Sequence, residues 1–142
     1  MILLDVNVLV YAHREDSVNH KAYKEWLENR FNSGEFCGLS DFVLSSVLRI
    51  VTHPRIFTVP TPLAEAFGFV EQIRNHPNTR IVSPGAAHWK IFSELCQNAD
   101  VKGNLVADAW HAALAIESGC EWVTTDRDFA RFPKLQWRHP LQ

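Results

Sequence analysis

Apolar and polar positions along the chain fall into two kinds of block, short continuous apolar runs and longer stretches with helical spacing. The first apolar run, within MILLDVNVLVYAH, predicts a buried strand over Ile2 to Val6. Thr79 to Val82 and Glu121 to Thr125 read as further short strands, and Leu135 to Trp137 as a last edge strand. Between them lie helical patterns. Val18 to Phe31 carries Ala22, Trp26 and Leu27 near one face. Phe42 to Val51 carries a stripe of Val43, Val47, Ile50 and Val51, with Ser40 as cap. Pro60 and Pro62 precede a helix over Leu63 to Arg74, which NHPNT closes. Ser83 is expected to cap the next helix, with Pro84 at its first position and Ala87, Ile91, Leu95 and Ala99 as its stripe. Asn104 is expected to cap Leu105 to Ser118, and Gly119 to stop it. Strands alternating with helices predict an α/β fold with a mainly parallel sheet, as a single domain over residues 1–142. Such sheets bind ligands beyond the carboxyl ends of their strands.

Composition narrows the picture only a little. The chain has 142 residues, 46% hydrophobic and 21% charged, within the ordinary range for a globular protein. A formal net charge of −2 offers no overall attraction to a polyanion, so a phosphate-bearing substrate would need a local basic patch or a bound metal. The three cysteines, 37, 96 and 120, have no zinc-site spacing, and their odd number argues against a disulfide framework. They are expected to be buried and reduced, which suits the cytoplasm. No apolar run approaches the roughly 18 residues of a membrane span. The opening apolar run lacks a basic flank and contains Asp5, unlike a signal peptide.

Candidate chemistry rests on three aspartates. MILLD and WVTTD each run a strand into a carboxylate, Asp5 and Asp126. Asp108 lies in NLVADAWHAALA, on the flank of the face formed by Leu105, Ala109, Ala112 and Ile116. Aspartate is a poor residue for a helix interior, so a structural role explains Asp108 less well than a functional one. Asp5, Asp126 and Asp128 each have a plain alternative as turn or cap residues. Three carboxylates at one end of a sheet repel one another and raise each other's pKa values. A divalent cation relieves that repulsion, and an oxygen-only ligand set suits Mg²⁺, or Mn²⁺ in its place. Asn7 either orients Asp5 or serves the turn. His111, three residues after Asp108, is either a shared ligand or a surface or satisfied histidine. Arg49 and Arg55 either meet a phosphate or are surface charge, and the tryptophans read as core.

Taken together, the segments resemble the PIN-domain family and, within it, the VapC-type toxins of bacterial toxin–antitoxin pairs. MILLDVNVLVYAH resembles the family's opening strand with its metal-binding aspartate. LVADAWHAALAIESGCEWVTTDRDF resembles its closing helix, strand and TxDxDF-like turn, and LSDFVLSSVLRIVTHPRIF resembles a segment of one actinobacterial-type branch. The resemblance implies a three-layer α/β/α fold and a Mg²⁺-dependent endoribonuclease. It also implies a homodimer and a cognate VapB-like antitoxin that blocks the acidic site. Asp5 and Asp108 would hold the metal, and Asp126 would complete the catalytic cluster. Asn7 and the hydroxyl of Thr124 or Thr125 would support it. Transfer RNA is the favoured substrate class.

One position departs from the pattern. Many PIN nucleases carry a glutamate about three residues before an arginine such as Arg49; here Ser46 occupies it. Asp41 is the only acid in that segment, and either replaces the missing carboxylate or helps Ser40 cap the helix. The alternative function is therefore a weak or inactive PIN-fold module that binds RNA or an antitoxin without cutting. A haloacid-dehalogenase-like phosphatase also places an aspartate after an apolar strand, but usually with a second aspartate two residues on, where this chain has Asn7.

Overall fold

The computed structural model describes residues 1–142. A five-stranded sheet, all parallel, forms the centre: β1 (Ile2–Leu4), β2 (Cys37–Leu39), β3 (Thr79–Ile81), β4 (Glu121–Val123) and β5 (Trp137–Arg138), in the order β3-β2-β1-β4-β5. Six helices connect them: α1 (Val6–His13), α2 (His20–Asn32), α3 (Asp41–Val51), α4 (Leu63–Arg74), α5 (His88–Asn98) and α6 (Asn104–Ser118). The chain steps outward from β1 to β2 to β3 through α1–α4, then returns across the sheet to β4 through α5 and α6. Parallel crossovers are right-handed, so reversing direction puts the second helix group on the opposite face. The packing agrees: α1 lies against α2 and α3, α3 against α4, and α5 against α6. This is the three-layer α/β/α arrangement. The direction reverses between β1 and β4, and their carboxyl ends form the crevice where such sheets bind ligands.

Burial explains why the strands are so short and so apolar. Leu3, Leu4, Leu39, Trp122 and Val123 are fully enclosed, covered on both faces. The sequence pattern does not predict β2, because Cys-Gly-Leu has little of the β-branched character that marks a strand. Its glycine answers to packing: a Cβ on Gly38 would lie 2.8 Å from the Ile2 carbonyl oxygen. Nor does the pattern predict the helix α1. Val6, expected to end the first strand, is instead the first residue of that helix, and Asp5 is its N-cap.

Other boundaries shift for local reasons. Ser40 caps α3 as expected, accepting from the Val43 amide at 3.1 Å. Ser83 caps nothing: α5 starts at His88, and the segment before it is held by Glu117, which accepts from the Gly85 and Ala87 amides at 2.6 and 2.9 Å. Asn104 lies inside α6, whose N-cap is Gly103 at φ 59°, a conformation that favours glycine. The last strand begins at Trp137, with Leu135 buried just outside it. Cys37 and Cys120 are buried, Cys96 is partly so, and none is bridged. Trp89 is no core residue; it is 68% exposed on α5. No helix is long and apolar enough to cross a membrane.

Candidate active site

A cleft of about 540 Å³ opens at the carboxyl ends of β1 and β4, and Asp5, Asn7, Asp108 and Asp126 all line it. Three separate parts of the chain deliver them. Asp5 follows β1, Asp126 follows β4, and Asp108 projects from the second turn of α6.

Asp5 is 6% exposed and almost fully bonded. Its Oδ1 accepts from the Val6 amide at 2.6 Å, so it caps α1. Its Oδ2 accepts from the Thr124 hydroxyl at 2.6 Å and from Asn7 Nδ2 at 3.2 Å. Burial pushes the carboxyl up to about 6, against these bonds and with the help of the nearby charges of Asp108 and Asp126. Asp108 accepts no hydrogen bond and joins no ion pair. Partial burial, and then Asp126, raise it to about 6 as well, with Arg131 opposing. Asp126 uses Oδ1 to cap the short 3₁₀ turn Arg127–Arg131, accepting from the Asp128 amide at 2.8 Å. Asp126 thus serves the turn and lines the cleft at once.

Thr124 ties the two strand ends together. It is fully buried, and its hydroxyl donates to Asp5 while accepting from the Asp126 amide at 3.0 Å and from Asn7 Nδ2 at 3.3 Å. A hydroxyl has one donor and two acceptor sites, so all are used. Asn7 completes the lock, its Oδ1 accepting from the Thr125 amide at 3.2 Å. Of the two threonines, it is Thr124 whose hydroxyl reaches the site.

Asp41 is elsewhere. Its carboxylate faces Arg74, at 2.9 Å from Nε, on the exposed side of α3 and α4, and the guanidinium holds it below the usual carboxylate range. It lines no part of the cleft, so it does not replace the missing glutamate. Ser46 does line the cleft, as does Arg49, which makes no ion pair. His111 is neither a surface histidine nor a satisfied one. It is 5% exposed, lines the cleft, and its Nδ1 has no partner. Burial lowers it to about 4, so the ring is neutral near pH 7. Sequence spacing could flag His111 beside Asp108, but not its burial.

No three His, Cys, Asp or Glu side chains converge tightly enough to make a preformed metal cage. Mg²⁺ does not require one, because it keeps several waters and binds through one or two carboxylates. Two carboxyls held high by burial and by neighbouring carboxylates, in a cleft where the acids supply oxygen ligands, fit such a hydrated dication.

The PIN domain family model matches residues 2–135. The VapC43 ribonuclease of Mycobacterium tuberculosis is 45% identical over 141 residues, 99% of this chain and 96% of that one. The VapC25 ribonuclease of the same organism is 40% identical over 140 residues, 99% of each chain. Among solved structures, the chain is similar to one in VapBC2 from Rickettsia felis bound to a promoter DNA fragment, with TM-score 0.73, 21% identity and 98% of each chain covered. It is equally similar to one in VapBC-1 from nontypeable Haemophilus influenzae, with TM-score 0.73, 15% identity and 100% of each chain covered. At these identities the structural likeness speaks to the fold.

Proposed function

The chain belongs to the PIN-domain family, and from that premise we propose that it is a metal-dependent endoribonuclease, the toxin of a toxin–antitoxin pair. The observation that carries this reading is the meeting of Asp5, Asp108 and Asp126 in one cleft at the point where the strand order reverses. Asp5 and Asp108 would hold Mg²⁺ or Mn²⁺, with Asp126 completing the acidic wall. The cation, when bound, neutralises charge developing on a phosphate and makes water a better nucleophile.

The chain's own residues have separate tasks. Thr124 and Asn7 fix the Asp5 carboxylate against the β4 end, so that it need not reorganise when substrate arrives. Arg49, unpaired at the cleft, offers a guanidinium to a phosphate of the strand. The substrate is RNA, with transfer RNA the favoured class. A VapB-like antitoxin, as in the VapBC relatives, is the partner that would block the cleft, and a homodimer the working form.

Cleavage of total cellular RNA by the purified protein tests this, comparing Mg²⁺, Mn²⁺ and EDTA, with Asp5→Asn and Asp108→Asn beside it. Discrete, metal-dependent cuts lost in both variants support the nuclease. A second reading is favoured by Ser46, which lines the cleft at the position where the family pattern described above has a glutamate. On that reading the domain binds RNA or antitoxin without cutting. Well-folded wild type that binds RNA but never cuts it would decide for this alternative.

A further inference from the structure

The lining of the cleft is of two chemical kinds, the three aspartates and an apolar set that includes Phe42, Ile50, Ile56 and Phe57. A hydrated cation and a phosphate account for the acids only. Of the parts of an RNA strand, only the bases have apolar faces, and unpaired bases are recognised largely by stacking on aromatic rings.

Phe42 is the ring available for such stacking. It stands in the first turn of α3 and is 48% exposed. Its far side is backed by a fixed aromatic pile. His111 meets it at 5.0 Å between centroids and 76°, and His111 in turn lies nearly parallel to Trp122, at 5.3 Å and 14°. Trp122 is fully buried in β4. The Nδ1 of His111 has no hydrogen-bond partner, and the ring's observed contacts with Phe42 and Trp122 are aromatic ones. Its low pKa keeps it uncharged beneath Phe42. A half-exposed phenyl held from behind by two enclosed rings is a rigid surface, and binding to it costs little ordering of the protein.

We propose that the cleft contains a nucleobase subsite beside its acids, in which one unpaired base of the RNA stacks on Phe42, and His111 positions that ring. The proposal rests on the RNA-cleaving reading of the same cleft. Its occupant follows from continuity: the apolar set and the aspartates line one cavity, so a strand presented to the acids passes Phe42.

The test is binding of fluorescein-labelled single-stranded oligoribonucleotides in EDTA, followed by anisotropy, with an abasic strand of equal length as control. Phe42→Ala is expected to weaken binding of the base-bearing strand about tenfold, the low end of a lost base–aromatic stack. The abasic strand should bind wild type and variant alike. Phe42→Tyr should restore the affinity, and His111→Phe, which keeps a ring under Phe42, should retain it. In cleavage assays the loss should fall on KM rather than kcat. Three results would overturn the subsite while leaving the nuclease intact: equal cleavage and binding by wild type and Phe42→Ala, equal loss on both strands, or a changed oligomeric state of Phe42→Ala in sedimentation. Failure of wild type to bind or cut any RNA would instead remove the functional reading beneath it.

Discussion

Replacing Asp5 with asparagine should change stability in opposite directions at the two ends of the acidic pH range. The Asp5 carboxyl lies at about 6 in the folded protein against 3.8 as an ordinary carboxyl. Ionising it inside the fold therefore costs about 3 kcal/mol. Between those two values the folded chain binds more protons than the unfolded one. Stability then falls as pH rises through that window, and the penalty is fully present above about pH 6. Asparagine removes the charge and can still cap α1 through its carbonyl oxygen. With that oxygen in the cap, the amide nitrogen accepts from neither Thr124 nor Asn7, so both bonds to Oδ2 are lost, together worth roughly 1–2 kcal/mol.

The balance at pH 7.5 in EDTA is a gain of about 1–2 kcal/mol for Asp5→Asn, and at pH 4 a loss of similar size. Urea denaturation followed by tryptophan fluorescence at both pH values reads the crossing directly. Mg²⁺ added at pH 7.5 should stabilise the wild type more than the variant, because the variant keeps only the Asp108 and Asp126 charges for the cation to neutralise. An Asp5→Asn protein destabilised equally at both pH values would refute the argument. It would mean that Asp5 serves the fold as a cap and not as a strained acid.

Thr124→Val should lower both cleavage and stability, the latter by about 1–3 kcal/mol, because Asp5 and the Asp126 amide both lose a buried partner; urea denaturation and an RNA cleavage assay check the two effects. Asp41→Ala should leave the cleavage rate within about twofold, since an exposed ion pair holds that carboxylate away from the cleft. A large loss of rate would return Asp41 to the site. Glu117→Ala should free the 83–87 segment from α6, read as faster amide hydrogen exchange at Gly85 and Ala87 with cleavage retained.

What could be read in the sequence was the kind of residue at the kind of place. Asp5 and Asp126 stood out because each ends an apolar run, and Asp108 because a carboxylate inside a helix needs a reason. The α/β order followed from alternating periods. The elements that escaped did so because packing overrides pattern there. The apolar residues from Val6 to Ala12 form no helical stripe, yet Asp5 caps a helix there whose Val8, Leu9, Val10 and Ala12 are buried. Cys37–Leu39 is a strand because Gly38 lets β1 come close, an approach that leaves no periodic trace. The sequence leaves Asp41 open between a stand-in for the missing acid and a helper of the Ser40 cap, because Arg74, 33 residues away, is not visible in it as a partner.

The same limit explains the supporting residues. Thr124 and Asp5 are 119 residues apart in sequence, and Asn7 reaches Thr124 across 117. Spacing along one element cannot disclose such a bond. It exists only because β1 and β4 pair in parallel, with Leu4 opposite Val123, which brings Asp5 and Thr124 to the same level at the carboxyl edge. The register of one strand pair therefore does what a motif cannot. It turns two ordinary strand ends into a single hydrogen-bonded unit, so substitutions at Asn7 and Thr124 should be non-additive, as expected for residues sharing one network.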